Sequence, residues 1–475
     1  MEEEENGFNS GNESSEFIRR SLEKYEEMRQ RRENYFFDVD ALISIIDHFT
    51  DHLEYEKAME VVRYALKLHP GTGHFTLKEA HLYALTGRKS EALKLLDLVE
   101  NISPFDIDIH LIRGNIFNAL EKYDDAIISF RKALDMAEDQ KDDIFLSLAI
   151  TFQNMSDFDQ AVEYYKMSLL NNPENETAME EMVFSLEAGN RIGEGIEFYK
   201  RLIDESPYSF MLWYYLGELY TKAGDFEEAI RAYDYTILIK EDFAPAHLDM
   251  AQALAMLERF RDAIERFKLA FEYCTPDAFT YYSIGECHEN LREFGTAREY
   301  YLKAVKMAPE MSQAWYGIGV TFEEEDRWYQ AVHYIRKALD LENRNPEYWL
   351  AMGDCECRLE NYESAENCYK EVIRLDPENE EGWIAYSELL SVMNRAMDAY
   401  EILAQARDIH DSKNEILYRQ VCYLYQAGYL EDAYRLLTEA VSRNSEGSHI
   451  LFEVMPSLES DSRIKSILYN KGGML

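Results

Sequence analysis

The sequence predicts an all-α protein, built as a solenoid of repeated helical hairpins. Three observations support this prediction: small residues recur about every 34 positions, aromatic residues and prolines keep fixed distances from them, and 47% of the 475 residues are hydrophobic with 10 prolines. Apolar content on this scale is typical of an ordered chain. A repeat array also accounts for the length, since a single core seldom grows beyond about 250–300 residues.

The repeat is defined by a column of small residues, spaced by 34 residues at every step except one of 35. The column comprises Ala58, Ala92, Ala126, Ala161, Gly195, Ala229, Ala263, Ala297, Ala331, Ala365, Ala399 and Ala433. Ordinary alanine usage would place about one alanine in twelve positions, whereas eleven are found here. The period is therefore a property of the chain.

Two further kinds of column predict that each repeat is a helical hairpin. A second small column, which includes Gly114, Gly217 and Gly285, lies twelve positions before the first. Because helices approach closely only where both lack bulk, the two small columns predict their crossing point. Aromatic columns surround them, and we expect these rings to be packing residues. They include Trp213, Trp315, Trp349 and Trp383, and on the second helix Phe130, Tyr233, Tyr301 and Tyr369.

Both turns of the predicted hairpin carry residues that end helices. Five repeats have Gly or Asn five positions before the small column, where the first helix should end in a left-handed cap. These residues are Gly87, Asn190, Gly224, Asn394 and Gly428. Six repeats have proline twelve positions after the column, where the second helix should stop.

These columns resemble the tetratricopeptide repeat family. The clearest match is Trp213-x-x-Leu216-Gly217-x-x-Tyr220, followed by Ala229. The resemblance implies twelve consecutive repeats over residues 39–447, wound as a right-handed superhelix. It also implies that the first helix of each pair lines the concave side, where partners of such proteins commonly bind.

Two positions depart from the family pattern, and the ends of the array lie outside it. Gly195 replaces alanine, and Glu356 stands in a normally apolar column. Residues 16–38 are expected to form a capping helix with its linker, and residues 448–475 to cap the other end, since a solenoid must shield its terminal faces. Residues 1–15 are expected to be a disordered acidic tail.

The charge balance limits the kinds of partner. The chain has 49 Lys and Arg against 91 Asp and Glu, a formal charge of −42, which would repel a phosphate backbone and an anionic membrane. We therefore expect neither direct nucleic-acid binding nor membrane binding. No apolar stretch reaches the roughly 18 residues that a membrane span needs, and the acidic start is unlike a signal sequence. We expect a soluble, cytoplasmic protein.

The motifs of catalysis and of cofactor or metal binding are not found. There is no phosphate-binding loop, dinucleotide-binding glycine pattern, zinc-protease motif or nucleophile elbow. His48 and His52 share one helix face, but two ligands do not make a specific metal site. The six cysteines lack paired spacing and are expected to be reduced structural thiols. We expect no enzymatic activity, no cofactor and no metal.

Tyrosines alternate with carboxylates at positions that face the groove if the resemblance holds. Such a surface suits a Lys/Arg-containing segment, because rings can cover the aliphatic stems and carboxylates can accept charge-assisted hydrogen bonds. The candidate residues are Tyr214, Glu218, Tyr282, Glu286, Glu289, Tyr316, Glu323, Asp354 and Glu388. The competing interpretation is that so acidic a chain has solvated carboxylates in every exposed column.

The favoured hypothesis is a scaffold or adaptor that binds a basic protein or peptide in this groove. One alternative is a regulator that sequesters a nucleic-acid-binding protein by acidic mimicry; nucleic acid would then compete for the partner. Another is a non-catalytic accessory subunit of an enzyme or assembly complex. The sequence predicts no particular oligomeric state.

Overall fold

The computed structural model describes residues 2–31, 33–139, 141–409, 414–443 and 447–469, and within them helices are the only regular elements. The all-α prediction is thus confirmed. The chain divides into two compact units, Met1–Glu241 and Asp242–Leu475. Among the helices of the described ranges, none is both long and apolar enough to cross a membrane.

The first unit contains thirteen helices in its described part. They are α1 (Glu2–Arg31), α2 (Val39–Asp51), α3 (Tyr55–Leu68), α4 (Gly73–Leu85), α5 (Lys89–Ile102), α6 (Ile107–Asn118), α7 (Tyr123–Met136), α8 (Asp142–Asn154), α9 (Phe158–Asn171), α10 (Glu176–Ala188), α11 (Ile192–Glu205), α12 (Phe210–Ala223) and α13 (Phe226–Ile239). After α1, they form consecutive pairs from α2 and α3 to α12 and α13.

The second unit continues the same pattern of pairs. Its α-helices are α14 (Ala244–Met256), α15 (Phe260–Ala270), α16 (Ala278–Asn290), α17 (Phe294–Met307), α18 (Ser312–Glu323), α19 (Trp328–Leu341), α20 (Pro346–Arg358), α21 (Tyr362–Leu375), α22 (Glu380–Val392), α23 (Ala396–Ile409), α24 (Asn414–Gln426), α25 (Leu430–Arg443), α26 (Ile450–Val454) and α27 (Ser462–Tyr469). A 3₁₀ helix, Pro456–Ser460, lies between the last two.

The two small columns pack differently from the expectation. All eleven alanines of the first column are fully buried, as crossing points require. Four glycines of the second column, Gly114, Gly217, Gly285 and Gly353, instead lie under an aromatic ring of the partner helix. A Cβ atom at Gly217 would be 2.5 Å from the ring of Tyr233, and one at Gly285 would be 2.6 Å from that of Tyr301. Glycine therefore makes room for a ring and does not simply oppose alanine.

The tryptophan column connects successive hairpins. In each case the indole nitrogen donates a hydrogen bond of 2.9 Å to the carbonyl oxygen of the residue six positions earlier. The pairs are Trp213 with Pro207, Trp315 with Pro309, Trp349 with Asn343 and Trp383 with Pro377. Each hydrogen bond fixes the partly apolar ring against the turn in front of its own helix. The packing role predicted for these residues is confirmed.

The left-handed cap occurs in every pair, including those that lack Gly or Asn. The φ angle is positive at all twelve positions that precede the first small column by five residues: at Gly87, Gly224 and Gly428, and at nine other residues from Leu53 to Asn394. The predicted caps are confirmed, and seven further caps carry ordinary side chains. The replacement of alanine by glycine at position 195 also has a structural reason, since a Cβ atom there would be 2.3 Å from Leu186.

The two ends carry additional helical segments. The helix α1 begins at Glu2, so residues 2–15 are helical where their composition predicts a disordered tail. The acidic run at its start favours a helix N-terminus. Tyr25 and Met28 of α1 are buried against the first pair. At the other end, buried residues of α26 and α27, including Leu451 and Ile464, pack on α24 and α25. Residues 470–475 of the expected C-terminal cap lie outside the described residues.

Candidate functional site

All nine candidate residues lie on the first helices of their pairs. Tyr214 and Glu218 are on α12 in the first unit, and the other seven are in the second unit. These seven are Tyr282, Glu286 and Glu289 on α16, Tyr316 and Glu323 on α18, Asp354 on α20, and Glu388 on α22. The helices α16, α18 and α20 contact one another in sequence, so the second unit brings most of the candidates onto one surface.

On α16, each carboxylate is paired with a tyrosine hydroxyl. Tyr282 donates a hydrogen bond of 2.7 Å to Glu286, and Tyr301 of α17 donates one of 2.8 Å to Glu289. The two tyrosine rings lie 5.7 Å apart. The tyrosines therefore orient the carboxylates as well as covering the surface between them.

The next helix, α18, carries a carboxylate of a different kind. Tyr316 stacks on Tyr348 with 4.5 Å between ring centroids. Glu323 is half-buried, and its carboxylate accepts no hydrogen bond from any residue in the described part of the chain. A half-buried acceptor without a donor is able to bind one from outside the protein.

Burial and mutual repulsion disfavour the charged form of these carboxylates. The pKa of Glu289 is raised to about 7, mainly by burial; the hydrogen bond from Tyr301 opposes the rise, and the charges of Glu286 and Glu324 contribute to it. Burial also raises the pKa of Glu286, although that side chain is exposed. The two observations agree if surrounding protein atoms withdraw the carboxylate from bulk water while leaving one side open.

Glu323 has the same electrostatic character. Its pKa is raised to about 7, mainly by burial, with smaller contributions from Asp354 and Glu324 and an opposing one from Arg358. Burial likewise raises the pKa of Asp354, whose carboxylate accepts a hydrogen bond of 2.7 Å from Tyr369. We call Glu286, Glu289, Glu323 and Asp354 the acidic strip.

The remaining candidates do not belong to the acidic strip. Glu388 forms an ion pair with Arg419 of α24, which also contacts Glu415 at 3.1 Å, so its charge is compensated within the protein. Tyr214 lies in the first unit, where its ring is 5.9 Å from that of Tyr233. Glu218, also in the first unit, is half-buried.

Sequence reasoning missed Tyr301, Tyr348, Tyr369 and Arg419. Tyr301 and Tyr369 were assigned to packing alone, yet their hydroxyls reach Glu289 and Asp354. A signal was present, because the same column has phenylalanine in other repeats, such as Phe130. A hydroxyl in a packing column indicates a polar atom nearby.

The residues considered for metal binding and for thiol chemistry do not form a site. The rings of His48 and His52 have their centroids 4.2 Å apart and are tilted by 39°, and the described ranges contain no group of three or more His, Cys, Asp or Glu that could hold a metal ion. The six cysteines are free. Burial raises the pKa of Cys287 to about 12, which is typical of an unreactive structural thiol.

Family models described as the tetratricopeptide repeat match several stretches of the chain. The matched residues are 107–140, 185–245, 248–310, 282–346 and 346–379. The matches lie in both units and include α16, α18 and α20. The number of repeats, twelve, stays a prediction.

Two curated proteins are similar in sequence to part of this chain. Tetratricopeptide repeat protein 16 of Mus musculus is 23% identical over 242 residues, 50% of this chain and 24% of that protein; the Macaca fascicularis protein is 21% identical over 240 residues, 50% and 21% respectively. The matched stretch thus spans about a quarter or less of these relatives.

The solved structures include the APC/C hetero-tetramer Cut9–Hcn1, 14% identical, with a TM-score of 0.40 over 84% of this chain and 96% of that chain. They also include YrrB, described as a TPR protein with an unusual peptide-binding site, 17% identical, with a TM-score of 0.34 over 39% of this chain and 96% of that one.

Proposed function

Because this chain is a tetratricopeptide repeat protein, we propose that it is a non-catalytic scaffold that binds a Lys/Arg-containing segment of a partner protein on the acidic strip. The repeat fold supports a protein–protein interaction scaffold in general, since stacked helix pairs present an extended surface. The basic character of the partner is the specific part of the proposal. A cytoplasmic location stays a prediction from the sequence.

The observation that carries the proposal is the state of Glu323. This carboxylate is half-buried beside Asp354 and accepts no hydrogen bond within the described residues. An ammonium or guanidinium group would supply the donor and the opposite charge together, and charge-assisted hydrogen bonds are the strong ones. Arg358 lowers the pKa of Glu323, but one guanidinium beside four carboxyl groups leaves the strip with an excess of negative charge.

The tyrosines beside the strip suit the rest of a basic side chain. Tyr316, stacked on Tyr348, and Tyr282 are next to the carboxylates of the strip. Aromatic faces attract cations and can cover the methylene groups of Lys and Arg. The hydroxyls hold Glu286 and Glu289 in place, so that less side-chain freedom is lost on binding.

The experiment compares the wild type with two triple variants of equal charge. The strip variant is Glu286→Gln, Glu289→Gln and Glu323→Gln. The control variant is Glu299→Gln, Glu310→Gln and Glu363→Gln, three exposed residues outside the strip. Each protein is used to capture partners from a cell extract at low and at high salt, and the bound proteins are identified by mass spectrometry.

We expect a partner with a basic segment that the wild type and the control retain at low salt and the strip variant loses. Equal retention by all three proteins would reject the strip as the binding surface. Addition of duplex DNA or RNA separates the first alternative, because release of the partner would indicate acidic mimicry of nucleic acid. A partner that is itself an enzyme, with its activity changed by binding, would indicate an accessory subunit.

A further inference from the structure

A pocket in the second unit is lined by residues that do not belong to the acidic strip. It has a volume of about 500 Å³ and is bounded by α19, α20 and α21. Leu339, Trp349 and Met352 form its apolar wall, while Arg336, Asp340 and Glu356 contribute charged groups. The pocket opens between two second helices, α19 and α21, whereas the strip lies on first helices.

Glu356 is the unusual residue of this pocket. Only 6% of it is exposed, and it stands nine positions before the first small column. The same position in the other repeats is Phe49, Tyr83, Phe117, Phe152, Leu186, Tyr220, Leu254, His288, Phe322, Leu390 and Leu424. A buried carboxylate is unfavourable unless it is paired, so an acid at a position that packs apolar side chains elsewhere needs a reason.

The two oxygens of the carboxylate are not equally satisfied: one accepts a short hydrogen bond, and the other has only a longer ion pair. Oε2 accepts a hydrogen bond of 2.7 Å from the side-chain amide of Asn361. The nearest cation to Oε1 is Arg336, at 3.6 Å, which is longer than a hydrogen bond. The Arg336 side chain is 63% exposed and therefore contributes little to stability. Within the described residues, no group donates a hydrogen bond to Oε1.

The charges inside the pocket favour a cation. The buried thiol of Cys368, which also lines the pocket, has its pKa raised to about 12, first by burial and then by Glu356, whose effect exceeds the opposing effect of Arg336. Asp340 adds a second carboxylate at the pocket and has no ion-pair partner in the described part of the chain. With Glu356 and Asp340 against Arg336, the pocket has one more carboxylate than cation beside its apolar wall.

We propose that this pocket binds a lysine side chain of a partner protein, with the ammonium on Oε1 of Glu356 and the aliphatic stem along Trp349 and Met352. A guanidinium binds best when it engages both carboxylate oxygens, but Oε2 is already bonded to Asn361. The compact ammonium group of lysine needs only one carboxylate oxygen, and Oε1 can supply it. This site and the acidic strip share no residue, so either can be correct without the other.

The test uses the full chain labelled with ¹⁵N at tryptophan. The indole signal of Trp349 is assigned by its loss in Trp349→Phe and followed during titration with Nα-acetyl-lysine methylamide. The comparison compound is Nα-acetyl-norleucine methylamide, which has the same stem without the amine. We expect the lysine compound to shift the Trp349 signal, and the dissociation constant to rise at least tenfold in Glu356→Gln while Glu363→Gln, the matched control, binds as the wild type does.

The proposal is overturned if the lysine compound causes no shift at tens of millimolar, or if the norleucine compound or the Glu356→Gln variant gives the same shift as the wild type with lysine. A second variant tests the structural role of the carboxylate. Glu356→Leu restores the apolar residue found in other repeats, and we expect a higher Tm together with loss of the lysine response. A lower Tm would mean that Glu356 serves the fold, and it would likewise overturn the proposal.

Discussion

Nine residues other than glycine have positive φ in the described part of the chain, and all nine occupy the same position of the repeat. The left-handed conformation brings Cβ close to the next carbonyl oxygen and is unfavourable by about 1–2 kcal/mol for an ordinary residue. Asparagine tolerates it better, which suits Asn190 and Asn394. The other seven residues retain this strain, because the turn between the two helices requires that conformation.

Leu53→Gly should therefore stabilise the protein. Leu53 has a φ of 59° and is 71% exposed, so glycine removes strain and loses little packing. The gain should be about 0.5–1 kcal/mol after allowance for the greater freedom of glycine in the unfolded chain. Urea denaturation measures it. Leu53→Ala keeps the Cβ atom and should show no gain, and Gly224→Ala should lose a similar amount; a destabilised Leu53→Gly would contradict this account.

The raised pKa of Glu323 predicts how the stability of the folded protein depends on pH. Its pKa is about 7 in the folded protein against 4.5 ordinarily. A carboxyl group with a raised folded pKa favours the folded state at low pH, and this contribution is lost as pH rises from about 4.5 to about 7. Glu323→Gln should thus become more stable than the wild type above pH 7, by about 1–3 kcal/mol at pH 8, with a smaller difference at pH 5.

Urea denaturation at the two pH values measures the difference. Glu363→Gln, an exposed residue of α21, is the matched control and should show no such pH dependence. The same titration predicts that affinity for a basic partner increases between pH 6 and pH 8, because a cation binds the ionised carboxylate. An effect of Glu323→Gln that is equal at pH 5 and pH 8 would argue against a raised pKa.

At the scale of the helix pair, stability depends on a glycine in the first helix that accommodates a ring of the second. This arrangement recurs at Gly217 with Tyr233, at Gly285 with Tyr301 and at Gly353 with Tyr369. In each, a methyl group would overlap the ring, since Cβ contacts under 3.0 Å are essentially never found in proteins. The close approach allows the tyrosine hydroxyl to reach the first helix, where Tyr301 contacts Glu289.

Gly217→Ala should destabilise the protein by about 1–3 kcal/mol through overpacking. Gly295→Ala is the matched control, since Gly295 is also helical but has no atom within 4 Å of its Cβ position; it should be stabilising by about 0.5–1 kcal/mol. Chemical denaturation of both variants measures the two changes in the free energy of unfolding. Equal effects of the two substitutions would show that helix propensity outweighs packing here. The double variant Gly217→Ala with Tyr233→Leu should lose less free energy of unfolding than the sum of the losses in the two single variants.

At the scale of the whole molecule, the formal charge of −42 should give two opposite responses to salt. Repulsion among like charges destabilises the folded chain, and salt screens it within about 10 Å at 0.1 M. Raising sodium chloride from 0.02 to 0.5 M should therefore increase Tm. The same screening should weaken binding of a Lys-rich partner segment.

Calorimetry and fluorescence anisotropy with a labelled Lys-rich test peptide measure the two responses. The strip variant, Glu286→Gln with Glu289→Gln and Glu323→Gln, should show weaker binding and a shallower dependence on salt than the control at Glu299, Glu310 and Glu363. Binding that strengthens or stays constant as salt rises would contradict an electrostatic site.

The all-α class, the hairpin repeat and the positions of its turns can be predicted from the sequence alone. This is possible because each repeat meets neighbours of the same kind, so that packing requirements recur at one period. The eleven buried alanines, the tryptophans and the caps at Gly87 and Gly224 all follow from that regularity. The nine candidate residues also come from it, since they occupy three columns of the first helices, fifteen, eleven and eight positions before the first small column.

Only the tertiary structure decided which of those candidates share a surface and which are already paired. Glu388 bonds to Arg419, Glu289 to Tyr301, and Glu323 to no described residue. These outcomes depend on the ends of long side chains that meet across 12 to 31 residues of sequence. Such contacts differ from one repeat to the next, so they cannot be predicted from the repeat columns. The same reason left the pocket at Glu356 to be found in three dimensions.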